Sequence, residues 1–294
     1  MNKVSVIIVN YNGETVLEGC LDSVLASFSD VPIEIIVIDN LSTDRSLDIL
    51  KTYKSKIKVL KNSHNSGFSR GNNIAVSYAS GNYFFFLNND TKINTDTIKG
   101  LFDFMQSSHN VGAVMPRLVN KDGSIQCPGS IFVRKTFLSN ETKEITFMPG
   151  AAFMMSKALY EETGGFDDNY LFYNEDTDLS RTIRKKGFKL MYFPQVSLIH
   201  YGGIATSFRK IHTLCEGYRG GIYFTQKHFG YLIALIYRVL LLVDVLPRLI
   251  YHGFVSLLRF NITEYLKIYF KLLGIILCNA IVMKQESLTI EELS

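Results

Sequence analysis

The residues of this 294-residue chain whose types and spacing can do chemistry are a few carboxylates and one histidine. Asp90 closes the run Leu87-Asn88-Asn89-Asp90, directly after an apolar stretch at 83–87. A carboxylate at the carboxyl end of a strand can hold a hard divalent cation, which in turn bridges a diphosphate. Asp beside Asn is equally ordinary turn chemistry. Glu175-Asp176-Thr177-Asp178 stands where a helix is expected to begin, with Asn174 placed to cap it. Acids suit the positive end of a helix dipole. In the functional alternative one of them is a general base, and the others hold acceptor hydroxyls or tune its pKa. His200 follows an apolar strand and a turn at Pro194, as a structural residue or as a ligand. Asp39 ends the run 33–38, where it can accept a hydrogen bond from a base ring N–H or cap the next turn.

These residues need a scaffold, and the pattern around them supplies one. Strands are expected at 4–9, 33–38, 57–60, 83–87, 111–115 and 190–193, and helices at 14–27, 44–53, 69–79 and 95–107. Nearly continuous apolar strands alternating with helices predict an α/β fold whose mostly parallel sheet is covered on both faces. In such sheets ligands bind outside the carboxyl ends of the strands. That directs attention to Asn10-Tyr11-Asn12, Asp39-Asn40 and Asn88-Asn89-Asp90. The pattern loosens over 117–156, with an Asp122-Gly123 pair typical of a hairpin turn. After about residue 202 the chain becomes apolar and helical. The expected organisation is a catalytic domain over 1–217 and a helical segment over 218–294.

With 47% apolar residues the chain can bury a full core, and a net charge of +4 lacks the strong basic stripe of a nucleic-acid binder. Residues 218–284 carry eight Lys/Arg against two acids, a local +6 on the most apolar part of the chain. That combination suits an anionic lipid surface. The longest uncharged run there, 272–283, is 12 residues, short of the ~20 a spanning helix needs. Helical spacing gathers Gln226, Lys227, Arg238, Asp244 and Arg248 within an arc of about 120°. Helices lying in the membrane interface fit this, and helices packed on the catalytic domain or on another subunit are the alternative. The six-residue apolar run at 4–9 is too short for a signal peptide and reads as a first strand. Cys20, Cys127, Cys215 and Cys278 form no C-x-x-C pair, which predicts a reduced, cytosolic chain without bound zinc.

Taken in order, the motifs resemble those of the family-two glycosyltransferases of the GT-A fold, over about residues 3 to 204. They are the first strand with Asn10-Tyr11-Asn12, Val37-Ile38-Asp39-Asn40-Leu41-Ser42-Thr43-Asp44, Asn65-Ser66-Gly67-Phe68, and Gly71-Asn72-Asn73. Leu87-Asn88-Asn89-Asp90, Pro149-Gly150-Ala151, Gly164-Gly165-Phe166-Asp167 and Glu175-Asp176-Thr177-Asp178-Leu179 complete the set. The subgroup most resembled is the rhamnosyltransferase and galactofuranosyltransferase-like enzymes of bacterial surface polysaccharides. The resemblance implies a nucleotide site built from Asn10, Tyr11, Asn12, Asp39, Asn65, Gly67, Asn72 and Asn88, with Asp39 on a uracil or thymine ring. It implies Mg2+ or Mn2+ on Asp90 and His200, Asp176 as catalytic base beside Glu175, and acceptor contacts at Gly150, Ala151 and Asp178. Asn88 departs from the first Asp of the D-x-D motif, and Asn72 stands where many members carry Arg.

The implied reaction is inverting transfer of a sugar, first choice L-rhamnose from dTDP-rhamnose, to a polyprenyl-diphosphate-linked or glycan acceptor at the cytoplasmic face of the membrane. A galactofuranosyl or other UDP-hexose transferase is the alternative. Outside enzymes, the rival is a non-catalytic glycan- or lipid-binding scaffold. A nucleotidyltransferase would want a Gly-rich phosphate loop where Asn10-Tyr11-Asn12-Gly13 stands. A processive synthase would carry a Q-x-x-R-W motif, and the chain has no tryptophan.

Overall fold

The computed structural model describes residues 2–27, 30–129, 133–202, 210–258, 262–278 and 290–293. Two compact units emerge. One comprises Met1–Asp168, Glu175–Ala205 and Ser287–Ser294; the other comprises Asn169–Asn174 and Thr206–Glu286. The boundary expected at 217 falls inside a helix, Lys210–Phe229, of the second unit.

The first unit begins β1 (Val4–Asn10), α1 (Leu17–Leu25), β2 (Ile33–Asp39), α2 (Ser46–Tyr53), β3 (Lys58–Asn62), α3 (Gly67–Ser77) and β4 (Tyr83–Leu87). It continues with β5 (Thr91–Ile93), α4 (Thr97–Ser107), β6 (Val111–Val119), α5 (Arg134–Phe137), β7 (Lys143–Ile145) and β8 (Ala152–Ser156). Then come α6 (Lys157–Thr163), α7 (Glu175–Lys185) and β9 (Lys189–His200). The second unit holds α8 (Lys210–Phe229), α9 (Tyr231–Leu258) and α10 (Glu264–Leu277), after which β10 (Ile290–Glu292) returns to the sheet.

The strands lie in the order β10-β3-β2-β1-β4-β8-β6-β9-β5, with β7 also on β9. From β3 to β4 the pairing is parallel, as the alternation of strand and helix predicts. Beyond β4 the sheet is mixed: β8 runs antiparallel to both β4 and β6, while β9 is parallel to β6 and antiparallel to β5. The β-branched run of β1 sits buried between β2 and β4, where such side chains pack well on a pleated surface. Phe86 packs against Phe153, Tyr160 and Phe166, with ring centroids 4.9–5.3 Å apart, near the carboxyl end of β4 and the amino end of β8. Phe166, from the Gly-Gly-Phe motif, also meets Phe68 edge-on at 5.5 Å and so ties α3 to that cluster.

One expectation is corrected at β9. The strand does not stop before a turn at Pro194; it runs on to His200. Its ladder with β6 jumps from Phe193 opposite Pro116 to Ser197 opposite Arg117, so residues 194–196 form a bulge. Neither proline has an N–H to give the ladder, and bulges are where strands tolerate them.

In the second unit the arc expected over 226–248 is split at Gly230, so that Gln226 and Lys227 end α8; on α9 Arg238 is turned inward, while Arg248 is exposed. Arg238, 8% exposed, donates to the carbonyls of Ile276 and, at 2.8 Å, of Cys278 at the end of α10. Asp244 accepts from the Tyr218 hydroxyl of α8 at 2.7 Å and pairs with Arg248 at 2.7 Å. The opposite arc is apolar and bare: Leu232 is 74% exposed, Val243 67%, Ile250 71% and Leu257 70%. Among the described residues no helix is long and apolar enough to cross a membrane. Arg259 and Lys284, two of the eight basic residues of this segment, lie outside the described residues.

Candidate active site

The loops at the carboxyl ends of β1 to β4 are knitted together by buried amides. Asn10 ends β1 level with Asp39 at the end of β2. It donates to Asp39 Oδ1 at 2.8 Å and accepts from Asn89 Nδ2 at 2.7 Å. Gly13 must be glycine here, because a Cβ would strike both Asn10 Oδ1 and Asn89 Nδ2. Asp39 is fully buried; Ser42 gives its hydroxyl to Oδ1 at 2.6 Å and its amide to Oδ2 at 2.9 Å. The turn-capping alternative for Asp39 is therefore realised, with one lone pair of Oδ2 unused among these contacts. Asn12, in the left-handed region at φ 51°, accepts from the Thr43 amide at 2.8 Å and fixes the loop next to Tyr11. Asn65 accepts from the Gly67 amide at 3.0 Å, and Gly67, at φ 79°, opens α3. Asn40 reaches over to the Gly67 carbonyl at 2.9 Å.

Asn72 is buried, and its amide donates to the Phe68 carbonyl of its own helix at 2.9 Å. The neighbouring Asn73 explains the motif better: it donates to the Phe166 carbonyl at 2.7 Å and to Asp168 at 2.6 Å, pinning the Gly-Gly-Phe turn. Asn40 and Asn89 stand among the polar residues after strands to which the sequence directs attention, and Asn73 in the Gly-Asn-Asn motif, but their partners are distant in sequence.

The remaining residues converge in two steps. Asn88 donates its backbone amide to the Ala151 carbonyl at 2.9 Å, and the Gly150 amide donates to Asp176 Oδ2 at 3.1 Å. The turn bearing Asp90 and the helix bearing Asp176 are thus linked through the Gly150-Ala151 strap. Ser180 of α7 holds the same strap by accepting from the Met148 amide at 3.1 Å. On the other side of the turn, Thr91 pairs with His200 across β5 and β9. This register sets His200 Nε2 3.4 Å from Asp90 Oδ1. Asp90 is 6% exposed, and Oδ1 makes no hydrogen bond.

The acidic pair on α7 is electrostatically uneven. Burial, then the charge of Asp176, pushes the Glu175 carboxyl up to about 8, and its Oε2 is buried without a hydrogen-bond partner. Burial also raises Asp176, while the Gly150 and Thr177 amides favour its charged form. The shared proton belongs on Glu175, and Asp176 is the ionised member with more than ordinary basicity. Asp178 is buried one residue beyond Thr177 on the same first turn.

A family model, Glycosyl transferase family 2, matches residues 5–164, just over half of the chain. The chain belongs to glycosyl transferase family 2. Among its relatives in the family, the poly(ribitol-phosphate) beta-N-acetylglucosaminyltransferase TarS of Staphylococcus aureus is 33% identical over 114 residues. That match spans 37% of this chain but only 20% of TarS. The N-acetylglucosaminyl-diphospho-decaprenol L-rhamnosyltransferase of Mycobacterium tuberculosis is 20% identical over 262 residues, 77% of this chain and 85% of that protein. The crystal structure of GalNAc-T7 with UDP, GalNAc and Mn2+ shares the fold, with a TM-score of 0.58 at 20% identity over 75% of this chain and 47% of that one. The family and the GT-A fold that the motifs predict are those found.

Proposed function

We propose that the protein moves a sugar from a nucleotide-diphosphate donor to an acceptor hydroxyl with inversion, using Asp176 as base and a divalent cation, Mg2+ or Mn2+, held by Asp90 and His200. The observation that carries the reading is the buried, unpartnered Asp90 Oδ1 facing a histidine nitrogen at 3.4 Å. A hard oxygen and an imidazole are a fitting donor set for Mn2+. Among the described residues no third His, Cys, Asp or Glu completes a cluster with them, so Asp90 and His200 would be the side chains that hold the ion. When bound, the ion neutralises the charge of the departing diphosphate. Asp176 takes the proton of the acceptor hydroxyl as its oxygen forms a bond to the anomeric carbon. The bond from that carbon to the diphosphate breaks on the opposite face, and the single displacement inverts the centre. Asn10, Tyr11, Asn12 and Asn88 border the nucleoside, with the spare Oδ2 lone pair of Asp39 for a ring N–H. Gly150, Ala151 and Asp178 border the acceptor.

Rhamnose is the first choice of sugar, supported by the likeness to a rhamnosyltransferase over 77% of this chain. That relative's name also supports a lipid-diphosphate acceptor. The TarS likeness favours a UDP-hexose derivative as the second reading. The bare apolar side of α9 and the local +6 charge support docking to an anionic cytoplasmic membrane surface. A second copy of the chain is the competing occupant.

Release of nucleoside diphosphate from dTDP-rhamnose, UDP-galactofuranose and UDP-hexoses, with Mn2+ and a lipid-diphosphate acceptor, tests the reaction. Asp176→Asn is expected to lose at least ~10²-fold in transfer while still binding donor. Near-full transfer by that variant would remove Asp176 as base, and full turnover in excess chelator would remove the metal.

A further inference from the structure

We propose that Gln126 is a positioning residue whose side-chain amide locks the His200 imidazole in the tautomer protonated on Nδ1, leaving Nε2 bare toward Asp90. The inference rests on the metal reading above and concerns a residue outside every motif of the family resemblance.

The backbone carbonyl oxygen of His200 can only accept, and Gln126 Nε2 lies 2.6 Å from it. The amide nitrogen of Gln126 must face that carbonyl, because the flipped amide would set two oxygens against each other. The second hydrogen of Nε2 goes to Asn120 Oδ1 at 2.7 Å, and Asn120 is itself oriented by donating to Ser124 Oγ at 2.8 Å. Gln126 Oε1 is then left 2.9 Å from His200 Nδ1. An amide oxygen only accepts, so Nδ1 carries the proton. In the neutral ring Nε2 therefore holds a lone pair, and it faces Asp90 Oδ1. Two acceptor atoms confronting each other in a buried place are an arrangement that a cation resolves.

Gln126 is held firmly enough to impose this. The Asp122-Gly123 turn folds the chain back after β6, with Val119 bridging Ile125 and the Gln126 amide donating to the Leu118 carbonyl at 2.9 Å. The side chain then grips His200 twice, at the ring and at the main chain. Without it, the unpartnered Asp90 oxygen would draw the ring proton to Nε2 and close the ligand position.

The test uses the full chain with 15N-labelled histidine. His200 ring signals are assigned by their loss in His200→Ala, and spectra are recorded free of metal at mildly alkaline pH. The expected wild-type ring has a protonated Nδ1 and an unprotonated Nε2. In Gln126→Leu the proton should move to Nε2, and Mn2+ affinity measured with UDP present should fall ~10–100-fold, as for lost outer-shell partners. Gln126→Glu, which keeps an acceptor for Nδ1–H, should keep the tautomer and bind Mn2+ better than Gln126→Leu. A wild-type ring protonated on Nε2, or an unchanged ring in Gln126→Leu, overturns the proposal. The wild-type spectrum decides even if the variant fails to fold. A tautomer that responds to Gln126→Leu, with Mn2+ affinity unchanged in both that variant and His200→Ala, would uphold the lock and overturn the metal reading instead.

Discussion

At the scale of single residues, the site's electrostatics rest on Glu175 as much as on Asp176. A folded-state pKa of about 8 lies far above an ordinary glutamate, so the native chain keeps a proton that the unfolded chain has already released. Native stability should fall as pH rises from about 4.5 to about 8, by at most about 1.4 kcal/mol per unit. Glu175→Gln removes that linkage. Urea unfolding of the variant and wild type at pH 5 and pH 8 should show the variant gaining stability relative to wild type at the higher pH. An identical pH slope in both would mean that Glu175 is ionised in the fold. Asn89 carries a separate expectation: Asn89→Ala strips the donor from buried Asn10 Oδ1 and should cost about 1–3 kcal/mol.

Part of this was readable from residue type and order. Asp90 and His200 follow strands and Asp176 opens a helix, positions that can aim a side chain at a ligand, and the resemblance implies their roles. The rest depends on partners far along the chain. Asn72, which the resemblance implies at the nucleotide, donates its amide to a carbonyl of its own helix. Asp39 caps its turn through the Ser42 hydroxyl and amide, with one Oδ2 lone pair unused among these contacts. Gln126 could not be recognised at all, because its meaning lies in a histidine 74 residues away.

At the scale of elements, hydrophobic period located most strands and helices but not which way they face or how they pair. The antiparallel turn of the sheet at β8 follows from the hydrogen bonding of β4 and β6, which no apolar run encodes. Periodicity found the two arcs of α9, but not that Arg238 would be spent on the carbonyls at the end of α10. Because the outward arc is apolar, vesicle binding should retain a large component at high salt, on top of the salt-sensitive share from exposed Lys267 and Lys271. Val243→Glu with Ile250→Glu should abolish the salt-resistant part, read by flotation with anionic liposomes. Loss of an oligomer by sedimentation, with flotation unchanged, would assign the face to a second copy of the chain.

At the scale of the whole molecule, the site belongs to a sheet whose far side is assembled late. β9 begins 70 residues after β6 ends (189 − 119), and it pairs with β5, β6 and β7 alike. During synthesis, therefore, the apolar edge of β6 waits without its neighbour until residue 200 has left the ribosome. Parallel partners brought together over such separations pair slowly, and open edges invite pairing with other chains. A chain halted at residue 188 would keep every motif of the nucleotide side, yet expose that edge permanently. It should collect in the insoluble fraction to a greater extent than the 294-residue chain when the two are expressed side by side, and this nascent hazard would make β9 the step at which a chaperone matters most.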